Sequence, residues 1–254
     1  MEYELYNDDC LLKMKDIADN SIQLICTDPP YASTDCSWDK LPDINELFSE
    51  WKRILTPNGT IVMTMAFPAA IEFLVVGKDM FKQDLVWCKT KKTNYVNAHN
   101  AHLRQHENIL VFSKGQISNN SKNRMTYNPQ GLIEFNKTKV CSADKGHIGL
   151  GTNYEGNTYI QQYTNYPTTL ININGNQTHT KHSTEKPVEL FEYLVKTYSN
   201  EGDTVLDPFA GSGTTGIACL KTKRIPILIE RDEHWYEVSK DRISNLELKN
   251  EDVI

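Results

Sequence analysis

Thr204-Val205-Leu206-Asp207-Pro208-Phe209-Ala210-Gly211-Ser212-Gly213-Thr214-Thr215 reads as a buried strand, a glycine turn and the start of a helix. Glycines at 211 and 213 let the backbone turn tightly and approach a ligand closely. A further apolar run, residues 225–230, ends on Glu230, nineteen residues after Gly211. In doubly wound folds an acid at about this distance accepts hydrogen bonds from ribose hydroxyls. The G-x-x-x-x-G-K-[ST] pattern is absent and no lysine follows the glycines, so this is not a P-loop phosphate cradle. An acid on the strand without a phosphate-binding lysine points to a cofactor such as S-adenosyl-L-methionine, which carries a ribose, an amino-acid tail and a sulfonium cation.

The same alternation runs outward from this stretch. Residues 187–198 present Val188, Leu190, Phe191, Leu194, Val195 and Tyr198 at helical spacing, with Pro187 placed for a first turn. Residues 43–55 form an amphipathic helix through Ile44, Leu47, Phe48, Trp51, Ile54 and Leu55, and a second helix covers residues 68–76. Strands are expected at residues 22–27, 60–65, 85–88 and 108–113, a helix start at residues 8–18, and a closing helix from Asp232. Strands alternating with helices define an α/β fold with a mostly parallel, twisted sheet and helices on both faces. Three segments result: a catalytic half (1–92), a polar inserted region (93–180) that includes the core strand near 108–113, and a cofactor-binding half (181–254).

Asp28-Pro29-Pro30-Tyr31 follows the first of these strands. A carboxylate therefore sits at a strand's carboxyl end. Two prolines that lack N–H groups leave the carbonyls of the turn without their usual local donors, and an aromatic ring follows. A rigid cluster of acceptors beside a stacking platform suits a planar ring bearing an amino group, such as a nucleobase. Asp28 and Gly211, both at carboxyl ends of strands, are expected to face one cleft.

Composition bounds the rest. A chain of 254 residues with 39% hydrophobic content, four Trp, twelve Tyr and eight Phe can bury a real core. The longest apolar stretch, residues 60–76, contains Pro68 and Glu72 and reads as strand plus helix, not as a membrane span. The six cysteines (Cys10, Cys26, Cys36, Cys88, Cys141 and Cys219) lack C-x-x-C spacing, so neither a disulfide framework nor a zinc cage is expected, and a reduced cytoplasmic setting fits. His99, His102 and His106 cluster without a completing ligand and read as a polar turn; no metal is expected. The net charge is −6, yet residues 82–147 carry eleven Lys and Arg against four Asp and Glu. A basic segment inside an acidic protein suggests a surface for a polyanion. Lys89, Lys91, Lys92, Arg104, Lys122 and Arg124 are its candidates for phosphate contacts.

Taken together, these blocks resemble the β-group amino-methyltransferases of DNA. D-P-P-Y comes first, a target-recognition region stands in the middle, and the F-x-G-x-G loop comes last, a circularly permuted order. The likeness extends to Asn7-Asp8-Asp9-Cys10, Trp51-Lys52-Arg53-Ile54-Leu55, His106-Glu107-Asn108-Ile109-Leu110 and His182-Ser183-Thr184-Glu185-Lys186-Pro187. The last block departs from the family's usual H-P-T-Q-K-P. The resemblance implies a Rossmann-like, S-adenosylmethionine-dependent enzyme acting on double-stranded DNA by base flipping and direct in-line transfer. It assigns Asp28, Pro29, Pro30 and Tyr31 to catalysis. It assigns Asp207, Phe209, Gly211, Gly213 and Thr214 to the cofactor, with Glu230 on its ribose, Asp9 on its adenine and Lys186 on its carboxylate. Asp at the head of the motif favours adenine N6. Cytosine N4, an RNA methyltransferase and a non-catalytic nucleic-acid-binding relative stand as alternatives. A homodimer and a cognate restriction endonuclease are partners that the resemblance admits.

Overall fold

A computed structural model describes residues 2–31, 41–140, 158–174 and 185–251. Cys36, Cys141, the end of the basic segment and the His182-Ser183-Thr184 block lie outside the described residues. The elements run β1 (Glu4–Asn7), α1 (Cys10–Lys13), β2 (Ile22–Thr27), α2 (Ile44–Ile54), β3 (Leu55–Met65), α3 (Ala70–Val76), β4 (Phe81–Thr93) and β5 (Arg104–Ser113). There follow β6 (Ile133–Val140), β7 (Thr158–Thr164), β8 (Leu170–Ile171), α4 (Val188–Tyr198), β9 (Thr204–Asp207), α5 (Thr214–Lys221), β10 (Ile225–Glu230) and α6 (Glu233–Glu251). Eight of the strands form one sheet in the order β1-β10-β9-β2-β3-β5-β4-β8. Its first five members are parallel, and β5 and β4 continue it antiparallel.

Alternation along the central strands divides the core between two faces. Ile25, Ile61, Met63, Leu110 and Phe112 pack with Leu47, Phe48, Trp51 and Ile54 of α2 and Phe73 of α3. Leu24, Cys26, Val62, Ile109 and Val111 pack with Leu190, Phe191, Leu194, Val195 and Tyr198 of α4. Both faces are covered, which is why β2 and β3 read as nearly continuous apolar runs. Asp43 starts α2 by accepting from the N–H groups of Asn45 and Glu46.

Several elements differ from the sequence reading. The helix expected over residues 8–18 is only α1 followed by a single 3₁₀ turn, Met14–Asp16. Arg53 ends it, because its guanidinium takes the carbonyls of Met14 (2.7 Å) and Ile17 (2.8 Å). Pro187 stands at the N-cap of α4, just outside the first turn. Strand β1 has no strong alternation, and its pairing with β10 supplies the order that its own sequence lacks. Strands β4 and β5 outrun the apolar runs at residues 85–88 and 108–113 because they pair with each other beyond the core. The separate compact unit is Pro129–Thr168, built on the β6–β7 pair, whereas residues 93–128 belong with the main sheet. The set-apart segment is thus narrower than the expected 93–180.

Candidate active site

Strands β9 and β2 lie side by side, and the chain moves away from them in opposite directions, β9 to β10 and β2 to β3. That is the topological switch point, where ligands bind outside the carboxyl ends of the strands. A cavity of about 730 Å³ opens there. Asp9, Asp28, Pro29, Pro30, Tyr31, Lys186, Asp207, Phe209, Gly211, Thr214 and Glu230 all line it. Asp28 and Gly211 thus face one cleft, although they stand 183 positions apart in the chain.

Asp28 stands at the end of β2 with both carboxylate oxygens engaged. Its Oδ1 accepts from the Tyr31 hydroxyl at 2.6 Å and from the hydroxyl of Thr64 near the end of β3. Its Oδ2 accepts from Lys186 Nζ at 2.6 Å. Lys186 also lies 3.5 Å from Glu107 Oε2, and its ammonium is 5.5 Å from the Tyr31 ring centroid. Burial by itself would lower the Lys186 ammonium, but the facing carboxylates of Asp28 and Glu107 outweigh it and hold the lysine above its ordinary value. Burial, with the negative Asp28 beside it, pushes the Tyr31 phenol well up, so its hydroxyl stays a donor.

Across the switch point, Asp207 braces three elements. Its Oδ1 accepts from Thr27 of β2 at 2.6 Å and from the Phe209 N–H at 3.0 Å, and its Oδ2 accepts from Thr215 of α5. Burial raises its carboxyl from 3.8 to about 6 in spite of these bonds. Gly211 and Gly213 have φ of +51° and +80°, in the left-handed region that glycine adopts at no steric cost. The Gly211 N–H donates to Glu230 Oε2 at 2.7 Å, and the Asp232 N–H donates to Oε1 at 2.8 Å. Burial pushes the Glu230 carboxyl up. Thr214 opens α5 with its hydroxyl 3.4 Å from Glu185 Oε1, and Arg242 ties Glu185 (2.7 Å) to the Ser212 carbonyl (2.7 Å). Asp9 caps α1 through the Leu11 N–H at 2.9 Å while also lining the cavity.

These residues fit a nucleoside cofactor. A Cβ built on Gly211 would meet nothing nearer than 4.0 Å, so the loop leaves open space, and two acids with an aromatic ring, Phe209, border it. Lys186, which the resemblance gave to the cofactor's carboxylate, has its ammonium on Asp28 here. Sequence reasoning passed over Thr64, Glu107, Thr27, Thr215 and Arg242. Only Glu107 had a signal, its place in the His106-Glu107-Asn108 block. Cys10, Cys26 and Cys219 are buried, and burial raises all three thiols, Cys10 to about 12, which leaves them poor nucleophiles.

The basic candidates separate into groups. Strand β3 ends opposite Asn108, so residues 104–107 of β5 and 87–93 of β4 run on past it as a hairpin on the Asp28 side of the sheet. Lys91, Lys92 and Arg104 are exposed there, next to an exposed Tyr95 and Val96, and no acid lies between Lys89 and Arg104. Lys89 is instead engaged with Glu107 and lies 5.2 Å from the Trp87 ring centroid. Lys122 and Arg124 are not brought to the cleft. Asn123, between them, donates to the Pro57 carbonyl at 2.8 Å near the start of β3, about 20 Å of strand from its cleft end.

A parallel-sheet switch point that joins a proline-stiffened carboxylate clamp to a glycine loop and a strand-terminal acid defines a methyltransferase of the α/β class. The family model described as DNA methylase, which covers N6 and N4 amino-methyltransferases, matches residues 22–241, and the chain belongs to that family. It is 27% identical over 259 residues to the Type II methyltransferase M.HpaI of Haemophilus parainfluenzae, a match spanning 96% of this chain and 75% of that one. Among solved structures, the M1.HpyAVI–SAM complex superposes with a TM-score of 0.63 at 24% identity, covering 95% of this chain and 98% of that one. The cytosine-N4-specific PvuII DNA methyltransferase gives 0.63 at 18% identity, covering 95% and 86%. The protein is a DNA methyltransferase. No helix among the described residues is long and apolar enough to cross a membrane.

Proposed function

We propose that this protein methylates the exocyclic N6 of adenine at a specific sequence in double-stranded DNA, with S-adenosyl-L-methionine as donor. One observation carries the reading: Asp28 and Glu230 line the same cavity, so an amino-group clamp and a ribose acid open on one space. Glu230, Asp207, Phe209, Gly211, Thr214 and Asp9 would hold the cofactor, whereas Gly213, expected with them, does not line the cavity and instead shapes the loop where it packs on Ser239. When bound, S-adenosyl-L-methionine supplies a methyl group activated by a sulfonium cation for direct transfer to nitrogen. Asp28 and the Pro29 carbonyl each accept one N–H of the target amino group. That draws the nitrogen toward tetrahedral geometry and frees its lone pair, and Asp28 or solvent takes the departing proton. The base must leave the duplex at a cost of about a few kcal/mol, which stacking on Tyr31 offsets in part. The acid at the head of the motif supports adenine, since the cytosine enzymes of the resemblance more often carry Ser there. Lys91, Lys92 and Arg104 hold phosphates, and Pro129–Thr168 is the candidate for target recognition.

The test is incubation with methyl-labelled cofactor and DNA of mixed sequence, followed by identification of the modified nucleoside by mass spectrometry. N6-methyladenine is expected. N4-methylcytosine alone overturns the choice of base, and no transfer to any DNA overturns the reading. Asp28→Ala should lose transfer by about 10²-fold or more while still binding cofactor.

A further inference from the structure

The two oxygens of Asp28 are held by different kinds of donor. Oδ1 receives neutral hydroxyls, from Tyr31 and Thr64, whereas Oδ2 receives the Lys186 ammonium. All three bonds are assisted by the charge of the carboxylate, but only the Lys186 contact pairs two opposite full charges, so Oδ1 is the oxygen that exchanges its partner more readily. Lys186 is itself caught between two anions, Asp28 Oδ2 at 2.6 Å and Glu107 Oε2 at 3.5 Å. Glu107 comes from β5, does not line the cavity, and carries Lys89 on its other oxygen. The line Lys89–Glu107–Lys186–Asp28 alternates in charge from the hairpin to the clamp.

We propose that Glu107 and Lys186 are positioning residues that divide the labour between the oxygens of Asp28: they anchor Oδ2, and Oδ1 is left to trade a hydroxyl for the substrate's amino N–H. This rests on the methyltransferase reading above. With Oδ2 pinned, the carboxylate cannot rotate when a base arrives, and the incoming N–H meets an acceptor already aimed. Glu107 keeps the ammonium on the Asp28 side by pulling it away from the open cavity. Without Glu107, one of the two anions that hold Lys186 is lost, and an anion in the cleft, such as a cofactor carboxylate, competes better with Asp28 for the ammonium.

The resemblance gave Lys186 to the cofactor, and the two roles predict opposite kinetics. Lys186→Met, Glu107→Gln and their double variant are compared with wild type for turnover at saturating cofactor and for cofactor Kd by calorimetry. The proposal expects Lys186→Met to lower kcat by about 100-fold with Kd changed less than about threefold. It expects Glu107→Gln to lower kcat by about tenfold, and the double variant to be no worse than Lys186→Met alone, since both act through one contact. Lys186→Arg, which keeps the charge, should recover part of the loss. Retained cofactor binding shows that each variant is folded. A Kd raised about tenfold or more in Lys186→Met, with kcat near wild type at saturation, overturns the proposal and leaves the methyltransferase reading intact; so do strictly additive losses. A wild-type protein that methylates no DNA removes both.

Discussion

Asp207 shows how far one residue can be read ahead of its surroundings. Its position at a strand end was evident from the sequence, but its partners were not. Thr27 lies in β2 and Thr215 in α5, and only the folded chain gathers them beside the Phe209 N–H of the adjoining turn. Their bonds do not fully replace lost hydration, and the carboxyl rises from 3.8 to about 6. Below about pH 3.8 the group is protonated in both folded and unfolded chains, and its neutral form costs the fold nothing. Between 3.8 and 6 the unfolded chain has given up its proton while the folded chain keeps it. Stability from this group is therefore full below 3.8 and is lost as pH rises through about 6, by about 3 kcal/mol. The difference in unfolding free energy between wild type and Asp207→Asn, from urea melts at successive pH values, should fall by that amount across the window. A difference that stays flat would show that Asp207 is not held against its charge. Asp28 teaches the complementary lesson. The motif announced the carboxylate, yet nothing in D-P-P-Y announced that Lys186, 158 residues away, would sit on it.

Among elements, those with a buried stripe were the legible ones. Helix α2 was set by its apolar spacing, and Phe48 meets Trp51 and Phe112 with ring centroids 5.2 and 5.4 Å apart. Strands β2, β9 and β10 were equally clear because both their faces are covered. The outer reaches of β4 and β5 were not legible. Polar residues such as Lys89-Thr90-Lys91-Lys92-Thr93 carry no burial signal, and backbone pairing with the other strand decides their conformation. That hairpin is the element on which DNA affinity should depend. Replacing Lys91, Lys92 and Arg104 together with Gln should weaken binding and flatten the slope of log K against log salt by up to about 3, with cofactor Kd unchanged. The same change at Lys122 and Arg124 should leave the slope within about 0.5 of wild type. Equal effects per residue from the two sets of sites would contradict the separation seen along β3.

For the whole molecule, the cleft joins parts drawn from both sequence halves, so a ligand in it should stabilise the entire main unit. At a free concentration of about 100 times Kd, S-adenosyl-L-methionine should add about 2.7 kcal/mol to the unfolding free energy. Differential scanning calorimetry across a cofactor titration measures this, and a melting temperature indifferent to cofactor would argue against specific binding to the native state. The order of motifs was readable in the sequence, as was the expectation that they converge. The narrower extent of the set-apart unit was not, because polar loops around residues 114–128 look alike whether or not they return to the sheet. The parallel contact between β2 and β9 has a consequence for how the molecule is made. Thr27 and Asp207 are separated by 180 residues, so at about 5–20 residues per second a ribosome needs roughly 10–40 s to deliver the second partner after the first. Through that interval β2 has an unpaired flank, the kind of edge that invites association with other nascent chains. A message truncated before β9 yields a product with no cleft at all, and modification of DNA must wait until the final third of the polypeptide has been synthesised.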